Sequence, residues 1–154
     1  MIDHMDRRII RELQVDGRIT NQALADKVGL SPSPCLRRLR RLEEDGVIRG
    51  YSATVDQNRY GLPINVFVSV KLTRQSEDTL AEFEQAVAGW DEVLDCFLMT
   101  GTRDYLLRVV AASLEAYEGF LKSCLTRLPC VASIETSFAL GIVKSTPVFP
   151  SVPD

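Results

Sequence analysis

The sequence predicts an α+β chain of two parts, a helix-turn-helix unit followed by a ferredoxin-like βαββαβ sheet. Three observations carry this. Residues 31–46 spell an arginine-rich helix with both ends marked, and two shorter helical stretches precede it. From residue 64 the apolar pattern switches to alternation, and a strand–helix–strand order then occurs twice. Between the two parts, Asp56 to Pro63 contains Asn58, Gly61 and Pro63 and reads as a linker. The expected division is 1–50 for the helical unit, 51–63 for a strand and linker, 64–142 for the sheet domain and 143–154 for a tail.

Taken in order, Asp3 can cap a first helix to about Val15, with Met5, Ile9 and Leu13 facing inward. Asp16-Gly17 stops it. Thr20 caps a second helix through Val28, with Ala23, Leu24 and Val28 facing in, and Gly29-Leu30 turns the chain into the third. Ser31 reads as the N-cap there, Pro32 as the first helical residue and Gly46 as the terminating glycine. Val47 to Val55 alternates like a strand. Ile64, Val66, Val68, Val70 and Leu72 then form a half-buried strand, and Ser76 caps a helix carrying Leu80, Phe83 and Val87. A strand from Val93 to Thr100 follows, then one from Asp104 to Ala111. Ser113 caps a helix with Leu114, Tyr117, Leu121 and Leu128, and Val131 to Leu140 closes the sheet. Both helices cover one sheet face. Phe67, Phe97 or Phe138, depending on register, is left for the other, which makes homodimerisation the economical inference. The tail from Thr146, with Pro147, Pro150 and Pro153, reads as extended and loosely held.

The third helix has distinct faces. At about 100° per residue, Leu36, Leu39 and Leu42 form a narrow apolar stripe. Arg37 and Arg41 fall almost opposite it with Ser33 and Pro34, while Arg38 and Arg40 lie on the flanks. No acid interleaves among these four arginines. Glu43, Glu44 and Asp45 come afterwards, where the helix dipole disfavours them. A solvated face is the ordinary reading of a charged helix, but one shaped for its own stability would order its charges the other way. Planar guanidinium groups match phosphates and the O6/N7 edge of guanine. Double-stranded DNA is therefore the expected partner, and the expected contact set is Ser31, Ser33, Pro34, Arg37, Arg38, Arg40 and Arg41. Ser33, Pro34, Arg37 and Arg41 would lie nearest base edges, with Arg38 and Arg40 on backbone phosphates.

Composition agrees once it is divided. The chain of 154 residues is 45% hydrophobic and carries a net charge of −3. Residues 1–50 hold ten Lys+Arg against eight Asp+Glu, and residues 51–154 hold eight against thirteen. No apolar run approaches the ~20 residues of a membrane helix, and Met1 to Arg11 lacks a signal-peptide core; a cytoplasmic protein without a membrane partner is expected. The four cysteines, Cys35, Cys96, Cys124 and Cys130, make no C-x-x-C pair, and His4 is the only histidine. Neither metal nor cofactor is expected. Cys35 and Cys124 share faces with leucines and read as buried small hydrophobes; a thiol switch at Cys35 is the rival reading. With no nucleophile–base pair and no clustered acids at metal spacing, an enzyme is not expected.

Between the middle strands lies Met99-Thr100-Gly101-Thr102-Arg103-Asp104-Tyr105. It reads as a hairpin turn needing a glycine at positive φ, with Asp104 able to bond its own backbone. A second reading is compatible: exposed backbone donors beside a carboxylate can hold a zwitterion, its acid on N–H groups and its amine on Asp104.

These residues resemble the leucine-responsive/asparagine (Lrp/AsnC) family of bacterial and archaeal feast-famine regulators over nearly the whole chain. The resemblance rests on Asp6-Arg7-Arg8-Ile9-Ile10 with Leu13-Gln14 and Asp16-Gly17-Arg18, on Leu30 through Arg38, and on Leu42-Glu43 with Gly46-Val47-Ile48. Further on it rests on Gly101, on Asp104 through Arg108, and on Ser137-Phe138. It implies a winged-type helix-turn-helix, a regulatory βαββαβ domain, dimers assembling into octamers or higher, and an amino acid or related metabolite bound where regulatory domains meet. The implied effector set is Leu98, Gly101, Asp104, Leu114, Ser137, Phe138 and Ala139. The expected function is a sequence-specific transcriptional regulator responding to such a small molecule. The alternative is an effector-independent, weakly specific DNA-organising protein of the same architecture.

Overall fold

Each helix of the N-terminal unit begins at a residue able to accept hydrogen bonds. In the computed structural model, which describes residues 1–152, helix α1 spans His4–Val15 and opens on a capping box. The Asp3 carboxylate accepts from the Asp6 N–H while Asp6 accepts from the Asp3 N–H. Helix α2 (Asn21–Val28) is capped by the Thr20 hydroxyl and ends on Gly29 at φ 74°. Helix α3 (Pro32–Glu44) has Ser31 in the N-cap position, but its hydroxyl makes no capping bond. An N-cap oxygen bonds the N–H two or three residues on; Pro34 removes the second of these donors, and the Ser33 N–H is not engaged by the hydroxyl. The Ser31 side chain stays exposed.

Ile9, Leu24, Ala25, Val28, Cys35 and Leu42 form the core of this unit, with Met5, Leu13, Leu39 and Ile48 partly buried against it. Two positions differ from the expected stripes. Ala25 rather than Ala23 is buried in α2, and Cys35 replaces Leu36 on the inward face of α3. Residues 47–55 form no strand. Alternation alone does not make one; a strand needs a partner to fill its ladder, and none lies beside it among the described residues. The tail from Val143 belongs to this unit. Its described residues form no helix or strand, and it is fastened: Gln14 donates to the Pro147 carbonyl at 2.7 Å and accepts from the Phe149 N–H at 3.1 Å.

Residues 55–142 make the second unit. The expected linker contains a one-turn helix, α4 (Gln57–Tyr60), capped by Asp56 and closed by Gly61. Strands β1 (Ile64–Leu72), β2 (Val93–Leu98), β3 (Tyr105–Ala111) and β4 (Val131–Phe138) form an antiparallel sheet in the order β2-β3-β1-β4. With helices α5 (Glu77–Ala88) and α6 (Leu114–Ser123) on one face, this is the ferredoxin-like arrangement. Val66, Val68, Val70 and Leu72 of β1 and Tyr105, Leu107 and Val109 of β3 point into a core closed by Phe83, Val87, Tyr117 and Phe120. Helix α6 ends at Ser123, so Leu128 lies beyond it after a 3-10 turn (Leu125–Arg127). Leu114 is exposed and Phe120 occupies the inward position instead.

Register decides the three phenylalanines. Phe67 pairs with Arg108 and Phe97 with Leu106, both on the uncovered face. Phe138 pairs with inward-facing Val66 and meets the Tyr117 ring edge-on at 5.6 Å, on the helix side.

Gly29 has open space around a built Cβ, so only its left-handed backbone resists substitution. Gly29→Ala should cost about 1–2 kcal/mol, read as a lower denaturation midpoint of the helical unit; an unchanged midpoint would show that the turn relaxes.

Candidate functional site

Helix α3 is rotated from its expected orientation because Cys35, Leu39 and Leu42 are the residues that pack inward. At 100° per residue that places Arg38 beside them and moves Arg40 to the outside. The outer face is a shallow groove lined by Ser33, Leu36, Arg37, Arg40, Arg41 and Glu44. Arg37 and Arg40 are exposed and meet no carboxylate in an ion pair among the described residues. Ser31 and Pro34 sit at the N-terminal end of the same helix.

Arg38 behaves differently. Its Nη1 donates to Asp3 Oδ2 at 2.7 Å and to Asp6 Oδ1 at 2.9 Å, and its side chain is 29% exposed. The Asp3 and then the Asp6 hydrogen bonds push the guanidinium pKa still higher. Arg41 Nη2 donates to Asp6 Oδ2 at 2.5 Å while its side chain remains 46% exposed. Asp6 itself is fully buried. The acid that relieves the arginine cluster is thus supplied by α1, not by α3. Nothing in the local order of α3 reveals it. The signal lies in α1, where Asp6 stands three, four and seven residues before Ile9, Ile10 and Leu13, on the apolar stripe itself.

The implied effector residues fall into two groups. Leu98 ends β2 and Gly101 follows in the turn at φ 103°. Ser137 and Phe138 end β4, with Ala139 just beyond, donating its N–H to the Asn65 carbonyl. Strands β2 and β4 are the two edges of the sheet. Leu98 pairs in the row of Tyr105, Val70 and Ile134, whereas Phe138 lies in the row of Val66, Val109 and Val93. Strand spacing and rise make the separation about 20 Å. Leu114 opens α6 one turn before Tyr117, which touches Phe138, so it belongs with the β4 group. Within one chain the two groups stand at opposite corners.

Asp104 is buried, 3% exposed. Its carboxylate accepts from the Leu72 N–H at 2.7 Å, from the Gln75 amide and from Lys71 Nζ at 3.5 Å. Burial pushes its pKa up, but the Leu72 N–H, Gln75 and Lys71 outweigh this and hold it below its usual value. Its backbone closes the turn as well, receiving the Met99 N–H at 2.8 Å and donating to Val70 at 2.9 Å. Arg103 reaches β4 through Ser133 and Glu135. Lys71, Gln75 and Arg103 were invisible in the sequence because their partner lies on another strand or turn.

Cys35 is buried and burial raises its thiol pKa, the opposite of an activated thiolate. Among the described residues no group of three or more His, Cys, Asp or Glu could hold a metal ion, and no helix is long and apolar enough to cross a membrane.

An arginine-faced three-helix unit joined to a one-sided ferredoxin-like sheet defines a helix-turn-helix regulator with a separate α/β domain. Residues 2–49 match the model described as winged helix-turn-helix DNA-binding, and residues 65–149 match the Lrp/AsnC ligand binding domain. The Bkd operon transcriptional regulator of Pseudomonas aeruginosa is 49% identical over 142 residues, covering 92% of this chain and 93% of that one. The leucine-responsive regulatory protein of Escherichia coli is 41% identical over 145 residues, covering 94% and 88%. Among solved structures, a Neisseria meningitidis transcriptional regulator in complex with L-Met superposes with a TM-score of 0.91 at 37% identity, covering 97% of each chain. An AsnC family transcriptional regulator from Agrobacterium tumefaciens gives 0.91 at 38% identity with the same coverage. The chain belongs to the Lrp/AsnC family. It is a DNA-binding transcriptional regulator with a ligand-binding domain.

The clamp on α3 has a pH signature. Asp3 is pulled down to about 2 by the Asp6 N–H and then by Arg38. A depressed folded-state pKa stabilises above the unfolded value of about 3.9 and loses that contribution as pH falls through the folded one. The stability difference between the wild type and Asp3→Asn should therefore be constant near neutrality and shrink between about pH 4 and pH 2. A difference independent of pH over that window would rule out the paired carboxylate.

Proposed function

We propose that the chain acts on double-stranded DNA through the outer face of α3, and that an amino acid or related metabolite bound between sheet domains of two copies tunes that action. Ser33, Arg37, Arg40 and Arg41 would face the major groove, with Ser31 and Pro34 at the entering end of the helix. Arg38 leaves the expected phosphate set and Arg40 moves toward the groove. One helix supplies few base contacts, so affinity would come largely from phosphates and from repeating the contact across copies.

The observation carrying the second half is the separation of the effector residues. A free amino acid cannot span about 20 Å, so Leu98 and Gly101 of one copy would meet Leu114, Ser137, Phe138 and Ala139 of another. Asp104 is assigned to holding the turn, since its oxygens are already engaged, rather than to binding the ligand's amine. The uncovered sheet face with Phe67 and Phe97 supports pairing into homodimers and then octamers or higher. The L-Met bound to the Neisseria relative supports an amino acid as the ligand class. We assign the chain no catalytic role and place it in the cytoplasm with its DNA.

Titrating the twenty amino acids against DNA affinity and assembly mass tests this reading. At least one should shift affinity by roughly 5–150-fold. No shift from any of them leaves the effector-independent, DNA-organising reading. Separately, Arg37→Ala and Arg40→Ala should each cost about 1–3 kcal/mol of binding to a selected duplex and relax specificity at one base position, with assembly mass unchanged. Unchanged affinity and specificity would place the interface elsewhere.

A further inference from the structure

We propose that Asp6 is a positioning residue for DNA recognition: it withdraws Arg38 from the DNA-facing set and fixes Arg41 within it. This rests on the assignment of the outer face of α3 to DNA.

Asp6 is a fully buried acid on α1, and both of its oxygens are committed to α3. Oδ1 accepts from Arg38 Nη1 at 2.9 Å. Oδ2 accepts from Arg41 Nη2 and from the Asp3 N–H. Asp3 adds a second carboxylate to Arg38 Nη1 at 2.7 Å. These two acids have different consequences for the two arginines. Arg38 is held by two carboxylates and is mostly covered. Arg41 is held along one edge only, and it still lines the outer groove with Ser33, Arg37 and Arg40.

A guanidinium is a planar fork with five donors. When one edge is bound to a buried carboxylate, the rotamer is set before DNA arrives, and the other edge is presented in a fixed plane. A free arginine must lose that rotamer freedom on binding. It can also settle on whichever phosphate is nearest, since phosphate contacts carry no sequence information. The carboxylates thus occupy, inside the protein, the place that a backbone phosphate would take. Four arginines within five residues would otherwise form a diffuse cationic surface. With Asp6 in place the helix presents Arg37, Arg40 and an oriented Arg41, and total charge is traded for discrimination.

The test compares the full-length wild type with Asp6→Asn, which keeps the shape and removes the charge. Each is titrated with two probes across a salt series: poly(dI-dC) and a duplex recovered by selection from randomised sequence with the wild type. In Asp6→Asn the freed arginines should steepen the salt slope on poly(dI-dC) by roughly 1 or more. The ratio of the two affinities should fall by roughly tenfold, the scale of a single bidentate base pairing. A residue that merely stabilised the fold would lower the melting temperature and leave slope and ratio unaltered; that result overturns the proposal. Should Asp6→Asn not fold, Arg38→Ala decides. An arginine withdrawn from the DNA-facing set neutralises no phosphate, so the poly(dI-dC) slope should match wild type, and a slope reduced by roughly 1 overturns the proposal. If Arg37→Ala weakens DNA binding while Asp6→Asn matches wild type, the groove assignment stands and this inference alone fails. If Arg37→Ala and Arg40→Ala are also silent, the groove assignment itself has failed.

Discussion

Two helices of twelve and ten residues can cover one face of a four-stranded sheet and no more. Most of what distinguishes the larger unit follows from that shortage. The covered face carries Val66, Val68, Val70 and Leu72 of β1 and Tyr105, Leu107 and Val109 of β3, with Phe83 against Tyr105 at 4.6 Å between ring centroids. The other face is left with Phe67 and Phe97 among polar neighbours such as Arg108, which bonds Asn65 and Gln57. Because the chain order forces β2 and β4 to the edges, the turn after β2 and the end of β4 become diagonally opposed corners. Neither corner is enclosed. Under the proposed function, a small ligand needing both would have to find them on different molecules, and occupancy and assembly would then be linked quantities.

The smaller unit meets a different constraint. A helix with four arginines in five positions needs negative charge nearby, and an acid interleaved among them on the outer face would cancel the cationic surface proposed to meet DNA. Asp6 resolves this by approaching from the neighbouring helix on the buried side. Such an arrangement is unforgiving: removing one partner of a buried pair commonly costs about 3–5 kcal/mol because the other charge is stranded. The capping box gives Asp6 a second anchor, since the same carboxylate that receives Arg41 accepts the Asp3 N–H. Helix initiation in α1 and arginine placement in α3 therefore share one functional group.

Much of this was readable from residue order. The caps Asp3, Thr20, Ser76 and Ser113, the glycine at 29 and the alternation in β1 and β3 lie where local chemistry puts them. Ser31 is an instructive exception: the cap residue was legible, but the proline three positions later leaves only the Ser33 N–H as a possible donor, and the hydroxyl does not take it. The strand expected at Val47–Val55 failed for a related reason, because pairing is not a property of one segment. The rotation of α3 was hidden because Leu36 and Cys35 are both apolar, and only packing distinguishes which turns inward. Arg38 could not be told from Arg40 without knowing that Asp6 lay beneath it. For the proposed effector residues, strand order was recoverable while register was not, and register decides that Phe138 faces the helices and Phe67 does not.

The fastening of the tail has one more implication. Gln14 grips it through a carbonyl of Pro147 and an N–H of Phe149, and Arg11 reaches the Phe149 carbonyl, so main-chain atoms make all three bonds. A latch that grasps the backbone is indifferent to side-chain identity but intolerant of a change in spacing. Point changes along 147–149, proline at 149 apart, leave all three bonds available, whereas inserting or deleting one residue between 147 and 149 would put the two anchor points out of step.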